Sequence, residues 1–150
     1  MSDATARQDM LDTIAESVDD IAFALAAVGE AYDRLEENTA DRLEEALFGP
    51  LQRAYGRARR THAEFAARHG LPARAFEPGH AAVASHGAQG PVDDAVEAVR
   101  TADDRLSELQ DSMAPIEYGD PELRAGLSEV RQLLDQIPRA AREFLRTLGR

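Results

Sequence analysis

The 150-residue chain contains no cysteine, no tryptophan and no lysine. Without cysteine there can be neither a disulfide nor a thiolate metal site. All 17 basic residues are therefore arginine. No apolar run approaches the ~20 residues a helix needs to span a bilayer. The opening MSDATARQDM is polar and acidic, unlike a secretory leader, so a cytoplasmic protein is the simplest expectation. No segment shows the strict apolar–polar alternation of a half-buried strand. Positive charge is in deficit overall, with a formal net charge of -11. General nucleic-acid binding needs a basic face to neutralise phosphates, and this balance argues against it.

The deficit is unevenly spread. Residues 1–48 carry a net charge of -10, residues 49–91 carry +4, and residues 92–150 carry -5. The change of sign falls within LEEALFGPLQRAYGRARRTHAEF at 43–65. There Gly49-Pro50 interrupts a helical pattern, and Arg53, Arg57, Arg59 and Arg60 follow with no acid until Glu64. Blocks of like charge often mark interaction surfaces. The plainer alternative is that these arginines pair with the acidic face of the preceding helix.

What is abundant is helical periodicity. Leu11, Ile14, Val18, Ile21, Leu25, Val28, Tyr32 and Leu35 recur at steps of three and four, one face of a helix with a heptad repeat. The pattern slips at Thr39 and continues through Leu43 and Leu47, so one long helix is expected over about 6–48. Pro50 must kink that helix or open the next. Leu51, Tyr55, Ala58, His62, Phe65 and His69 carry the stripe onward. The Gly- and Pro-rich stretch at about 70–91 reads as a flexible loop. Helical spacing returns from Val92 to Met113, breaks at APIEYGDP, and returns from Leu123 to Leu148, with a bend expected near Leu134 because of Pro138. The chain reads as a single all-α domain. Two architectures fit: three elongated, kinked helices, or a compact up-down four-helix bundle with breaks near 38, 70–91 and 115–121.

Catalytic and metal patterns are weak. His62 and His69 share an apolar stripe, but neither Glu-x-x-His nor His-Glu-x-x-His occurs. They read as buried structural histidines, with a metal-binding bundle as the remote alternative. His80 and His86 fall in the loop. Asp93-Asp94 and Asp103-Asp104 read as a helix start and a solvated face. Ser85-His86 makes no triad, because the fold and not adjacency places triad partners. No enzyme and no cofactor are expected.

The order of features resembles a BAR domain of the endophilin and amphiphysin type, over about residues 18–148. The features are the small-residue stretch around Gly29, Phe48 before Pro50-Leu51, the basic run Arg57 to Arg60, Ser112-Met113, and the amphipathic stretch from Leu127 to Leu145. The resemblance implies three kinked helices in an antiparallel coiled-coil crescent, a homodimer, and peripheral adsorption to anionic membrane lipid with curvature sensing or shaping. On that basis Arg53, Arg57, Arg59, Arg60, Arg68 and Arg74 are the candidate lipid-binding residues. Ile21, Leu25, Val28, Tyr32, Val130, Leu134 and Ile137 are the candidate core and dimer positions. The alternative is a helical scaffold that binds a protein partner through its acidic surface.

Overall fold

The computed structural model describes residues 2–81 and 87–148, and the expectations for Ser85 and His86 lie outside that range. The chain is all-α, with no strand among the described residues. Helix α1 spans Asp3–Tyr32 and starts where the Ser2 hydroxyl accepts the Thr5 amide at 3.1 Å. The expected long helix to residue 48 is broken. α1 ends at Tyr32, and a new helix, α2, runs over Glu37–Leu43. The cause is Glu36, which adopts extended backbone and uses its carboxylate to accept the amides of Asn38 and Thr39. Those bonds also hold the carboxyl below its ordinary pKa, the largest contribution being the Thr39 hydroxyl. Glutamate is an uncommon helix cap beside Ser, Thr, Asp and Asn, so the pattern of apolar spacing passed over it.

Pro50 stands in the first turn of the next helix, as one of the two expectations for it had it, and no gap separates that helix from the turn before. The turn before it, Glu44–Phe48, is widened to π geometry, and the Gly49 amide bonds the Glu44 carbonyl. α3 follows at once over Gly49–Arg68. Proline has no amide to offer the carbonyl four residues back, and a widened turn absorbs that missing bond without ending the rod. α3 closes with Gly70 in the left-handed region, φ 66°, and the Leu71 amide on the Ala66 carbonyl at 2.8 Å. Glycine adopts that conformation without a Cβ penalty. α4 spans Gln89–Asp111, and a single turn, α5, spans Ala114–Glu117. α6 spans Pro121–Asp135, with the Asp120 side chain accepting the Leu123 amide and Pro121 in the first turn. The bend expected from Pro138 falls at Gln136, and α7 then runs over Ile137–Leu148.

The helices pack as four rods: α1, the α2–α3 run, α4, and the bent α6–α7 pair. Neighbouring rods are antiparallel. Arg105 of α4 reaches Glu16 and Asp20 of α1, while Arg34 beyond the far end of α1 donates to the Gly87 carbonyl before α4. Arg68 pairs with Asp120 and Arg57 with Glu129 between α3 and α6. Arg131 pairs with Asp103 between α6 and α4. α3 and α4 are diagonal and parallel, so the segment between them must climb the whole length of the bundle, the one-crossover variant of a four-helix arrangement. It climbs along α1. Arg74 pairs with Asp19 at 2.7 Å, Gly79 lies on the Ala22 backbone, and Arg34 holds Gly87. The described part of the stretch expected to be a flexible loop lies along α1 as a strap.

Of the expected core positions, Ile21, Val28, Val130, Leu134 and Ile137 are buried. Leu25 packs against the core only partly covered, and Tyr32 is 37% exposed. Both lie where α1 faces a groove that the following section describes.

Candidate anion-binding site

α3 places Arg53, Arg57 and Arg60 at steps of four and three, which brings them onto its α6 side, with Glu129 and Leu133 across the seam. Arg59 lies on the α1 side, its guanidinium 5.2 Å from the centre of the Tyr55 ring. Between them the exposed face of α3 carries Gly56 and Ala63, which leave the surface low. The strap contributes Arg74 and Phe76. The result is an open depression of about 800 Å³ rimmed by five guanidinium groups and one carboxylate, Glu129. A Cβ on Gly56 would meet no atom within 4 Å, so the space above it is empty.

Two of the five guanidiniums are fixed. Arg57 donates to Glu129 and, at 3.1 Å, to the Thr61 hydroxyl. Arg74 donates to both oxygens of Asp19 and stacks 4.9 Å from the centre of the Phe76 ring. Arg53, Arg59 and Arg60 are exposed and make no ion pair among the described residues. Planar, always-charged guanidinium groups around a shallow floor suit carboxylate or phosphate oxygens. Arg68, the sixth arginine expected here, stands at the far end of α3. There it makes a two-pronged pair with Asp120, at 2.8 and 2.9 Å, and takes no part in the depression.

Five of the six expected arginines thus border the depression, and Gly56, Ala63, Phe76 and Leu133 were not among the expected residues. The signal for Gly56 was present: a glycine in the middle of a basic helix, where it costs roughly 1 kcal/mol relative to alanine. Phe76 had no local signal, because the strap and not the helix brings it there.

The two stripe histidines occupy different sites. His62 is 2% exposed, its ring edge-on to Phe76 at 5.1 Å, and its Nδ1 has no hydrogen-bond partner. Burial, and next the positive charge of Arg74, push its pKa below the ordinary histidine value, and Asp12 opposes them. His69 instead meets Asp120 at 3.0 Å. Among the described residues no group of three or more His, Asp or Glu side chains stands close enough to hold a metal ion. No described helix is long and apolar enough to cross a membrane.

A second groove adjoins the first. Ala22, Leu25, Ala26 and Gly29 of α1 face Phe48 and Tyr55 of the α2–α3 run across about 460 Å³. Arg59 and Phe76 belong to both grooves. At its far end this groove meets a smaller hollow of about 400 Å³ bordered by Glu30, Asp33 and Glu44.

No protein-family model, no curated protein and no solved structure matches the chain. The likeness to BAR domains thus rests on the order of motifs in the sequence.

Proposed function

We propose that this chain is a non-catalytic binding protein that adsorbs to anionic membrane lipid through the arginine face of α3. The observation that carries the reading is the gathering of Arg53, Arg57, Arg59, Arg60 and Arg74 around one depression in a chain of net charge -11. Near an anionic leaflet each exposed arginine contributes about 1 kcal/mol. That attraction fades over a Debye length of about 8 Å at physiological ionic strength, so adsorption is reversible and salt-sensitive. The acidic remainder of the surface orients the molecule, since only this face is attracted. A BAR-like crescent homodimer is part of the reading, because pairing doubles the arginines presented and lends the surface curvature.

Co-sedimentation with phosphatidylserine vesicles of several diameters, across salt, tests it. Binding that weakens with salt and is lost in Arg53→Glu/Arg59→Glu/Arg60→Glu is expected, and no binding at low salt by the folded protein overturns it. Sedimentation equilibrium at micromolar concentration tests the crescent separately: a monomer removes the dimer and leaves the arginine depression in place.

A second reading is a bundle scaffold that binds a protein partner through its acidic surface. It is favoured by the internal pairing of Arg57, Arg68 and Arg74 with Glu129, Asp120 and Asp19. Vesicle binding that the triple variant leaves unchanged would turn the interpretation this way.

A further inference from the structure

We infer that the two adjoining grooves form one site for a single-chain anionic amphiphile, a fatty-acid-like molecule whose carboxylate sits at Arg59 and whose alkyl chain lies between α1 and α3. The inference deepens the lipid reading above and names a monomeric ligand in place of a membrane surface.

Three observations converge on it. First, the grooves share Arg59 and Phe76, so a cationic rim opens directly onto an apolar trough. Second, the trough has polarity along its length. It begins at the arginines and ends at Glu30, Asp33 and Glu44, where Arg34 pairs with Glu30 and Asp33 and Glu44 leave the surplus charge negative, so an anionic head is drawn to the arginine end. Third, the trough is held open by absent side chains. A Cβ on Gly29 would meet nothing within 4 Å, so close packing does not demand glycine there, although mid-helix glycine is unfavourable. From Leu25 to Tyr32, through the trough and the hollow beyond it, the helix rises about 10 Å at ~1.5 Å per residue, a length matched by an alkyl chain of about eight carbons. Leu25, Phe48 and Tyr55, all half-buried, supply the apolar walls.

The charge pattern selects among occupants. A cationic amphiphile would place its head among arginines or leave it at the acidic end with its tail against the guanidiniums. A small anion such as acetate would hold the rim and gain nothing from the trough.

Isothermal titration with decanoate below its micelle concentration provides the test, with acetate, decanol and decyltrimethylammonium as comparisons. The expected result is saturable one-to-one binding of decanoate, with each methylene from hexanoate upward tightening Kd about fourfold. Acetate, decanol and the cation should bind at least tenfold more weakly. Gly29→Leu fills the trough where a side chain meets no neighbour. It should keep or raise Tm while weakening decanoate at least tenfold, and it should leave vesicle co-sedimentation unchanged. Arg59→Glu should weaken decanoate as well. Absence of saturable binding, equal binding of the cationic amphiphile, or binding that survives Gly29→Leu in the folded protein would each overturn the inference. If vesicles bind and decanoate does not, this site is wrong and the membrane reading stands. If decanoate binds and vesicles do not, the site stands and the membrane reading falls.

Discussion

From Arg57 to Arg68, below the arginine depression, α3 is closed against α6: Gly126 of α6 sits against the Thr61 side chain, Arg57 bridges Glu129 and Thr61, and Arg68 is clamped to Asp120. Along its α1 flank the same helix stands off, and Ala26 and Gly29 face Phe48 and Tyr55 across open space, with Pro78 and Gly79 of the strap covering the Ala22 end. Both flanks use glycine, for opposite reasons. Gly126 removes a side chain so that two helices can touch. Gly29, like Gly56 on the exposed face, leaves a space that no described residue fills. Close approach gains dispersion and burial, and open small-residue surface gives up helix propensity for access. The flank that sacrifices stability is the one expected to bind.

The largest effect should come from closing the space that is already full. A Cβ at Gly126 would collide with the Thr61 hydroxyl and its methyl. Gly126→Leu should therefore cost about 3 kcal/mol in urea unfolding, at the upper end of ordinary overpacking. Gly126→Ala should be rescued in part by Thr61→Ala, and the double-mutant coupling should exceed about 0.5 kcal/mol. Additive effects would show that the helices separate without resistance, and the contrast between flanks would collapse.

Asp120 comes next. It caps α6 through the Leu123 amide and binds Arg68 and His69. Burial alone would raise its pKa, but Arg68, the Leu123 amide and His69 outweigh it and hold the carboxyl at about 2. Asp120→Ala removes a cap and a half-exposed two-pronged pair, and should cost about 1–2 kcal/mol, most of it from the cap. Since the folded value lies below the ordinary 3.8, the stabilisation is present above that pH and is lost as pH falls from 3.8 to about 2. Asp120→Asn should retain most of the cap and flatten that acid limb.

His62 belongs to the open flank, beneath the strap. Its folded pKa is lowered from 6.5, so the unfolded chain takes up the proton first, and stability should fall as pH drops below 6.5 toward the folded value. His62→Phe should remove this earlier acid step. It should also stabilise the neutral protein by about 1 kcal/mol, because a buried ring nitrogen without a partner is lost. An unchanged pH profile would mean that water or an acceptor beside Nδ1 stabilises the protonated ring and cancels the lowering.

Much of this contrast was legible in the sequence. The apolar stripes of α1, α3 and α6 predicted the helices and most of the core, and the arginine run marked the face. The break at Asp33–Glu36 was legible only as the alternative with a break near 38, because a glutamate cap leaves no mark in apolar periodicity and the long-helix reading ran through it. The π turn over Glu44–Phe48 that joins α2 to α3 without a gap was not legible. The partition of the arginines was hidden for a different reason. Arg57, Arg68 and Arg74 find acids 72, 52 and 55 residues away in the chain, and such pairings arise only once four rods and a strap are assembled.

The smallest predicted change is also the cleanest comparison of glycines. Gly56→Ala places a methyl where no atom lies within 4 Å, in the interior of α3. It should raise stability by about 0.5–1 kcal/mol through helix propensity alone, the opposite sign to Gly126→Ala. The methyl rises from the floor between Arg53 and Arg60, so the gain in Tm should accompany weaker, still salt-sensitive vesicle binding. If stability rises and binding is untouched, the arginines act as separate charges around an indifferent floor. If both shift together, the low floor is itself part of the site, and its glycine is kept at a cost in stability that the ligand recovers.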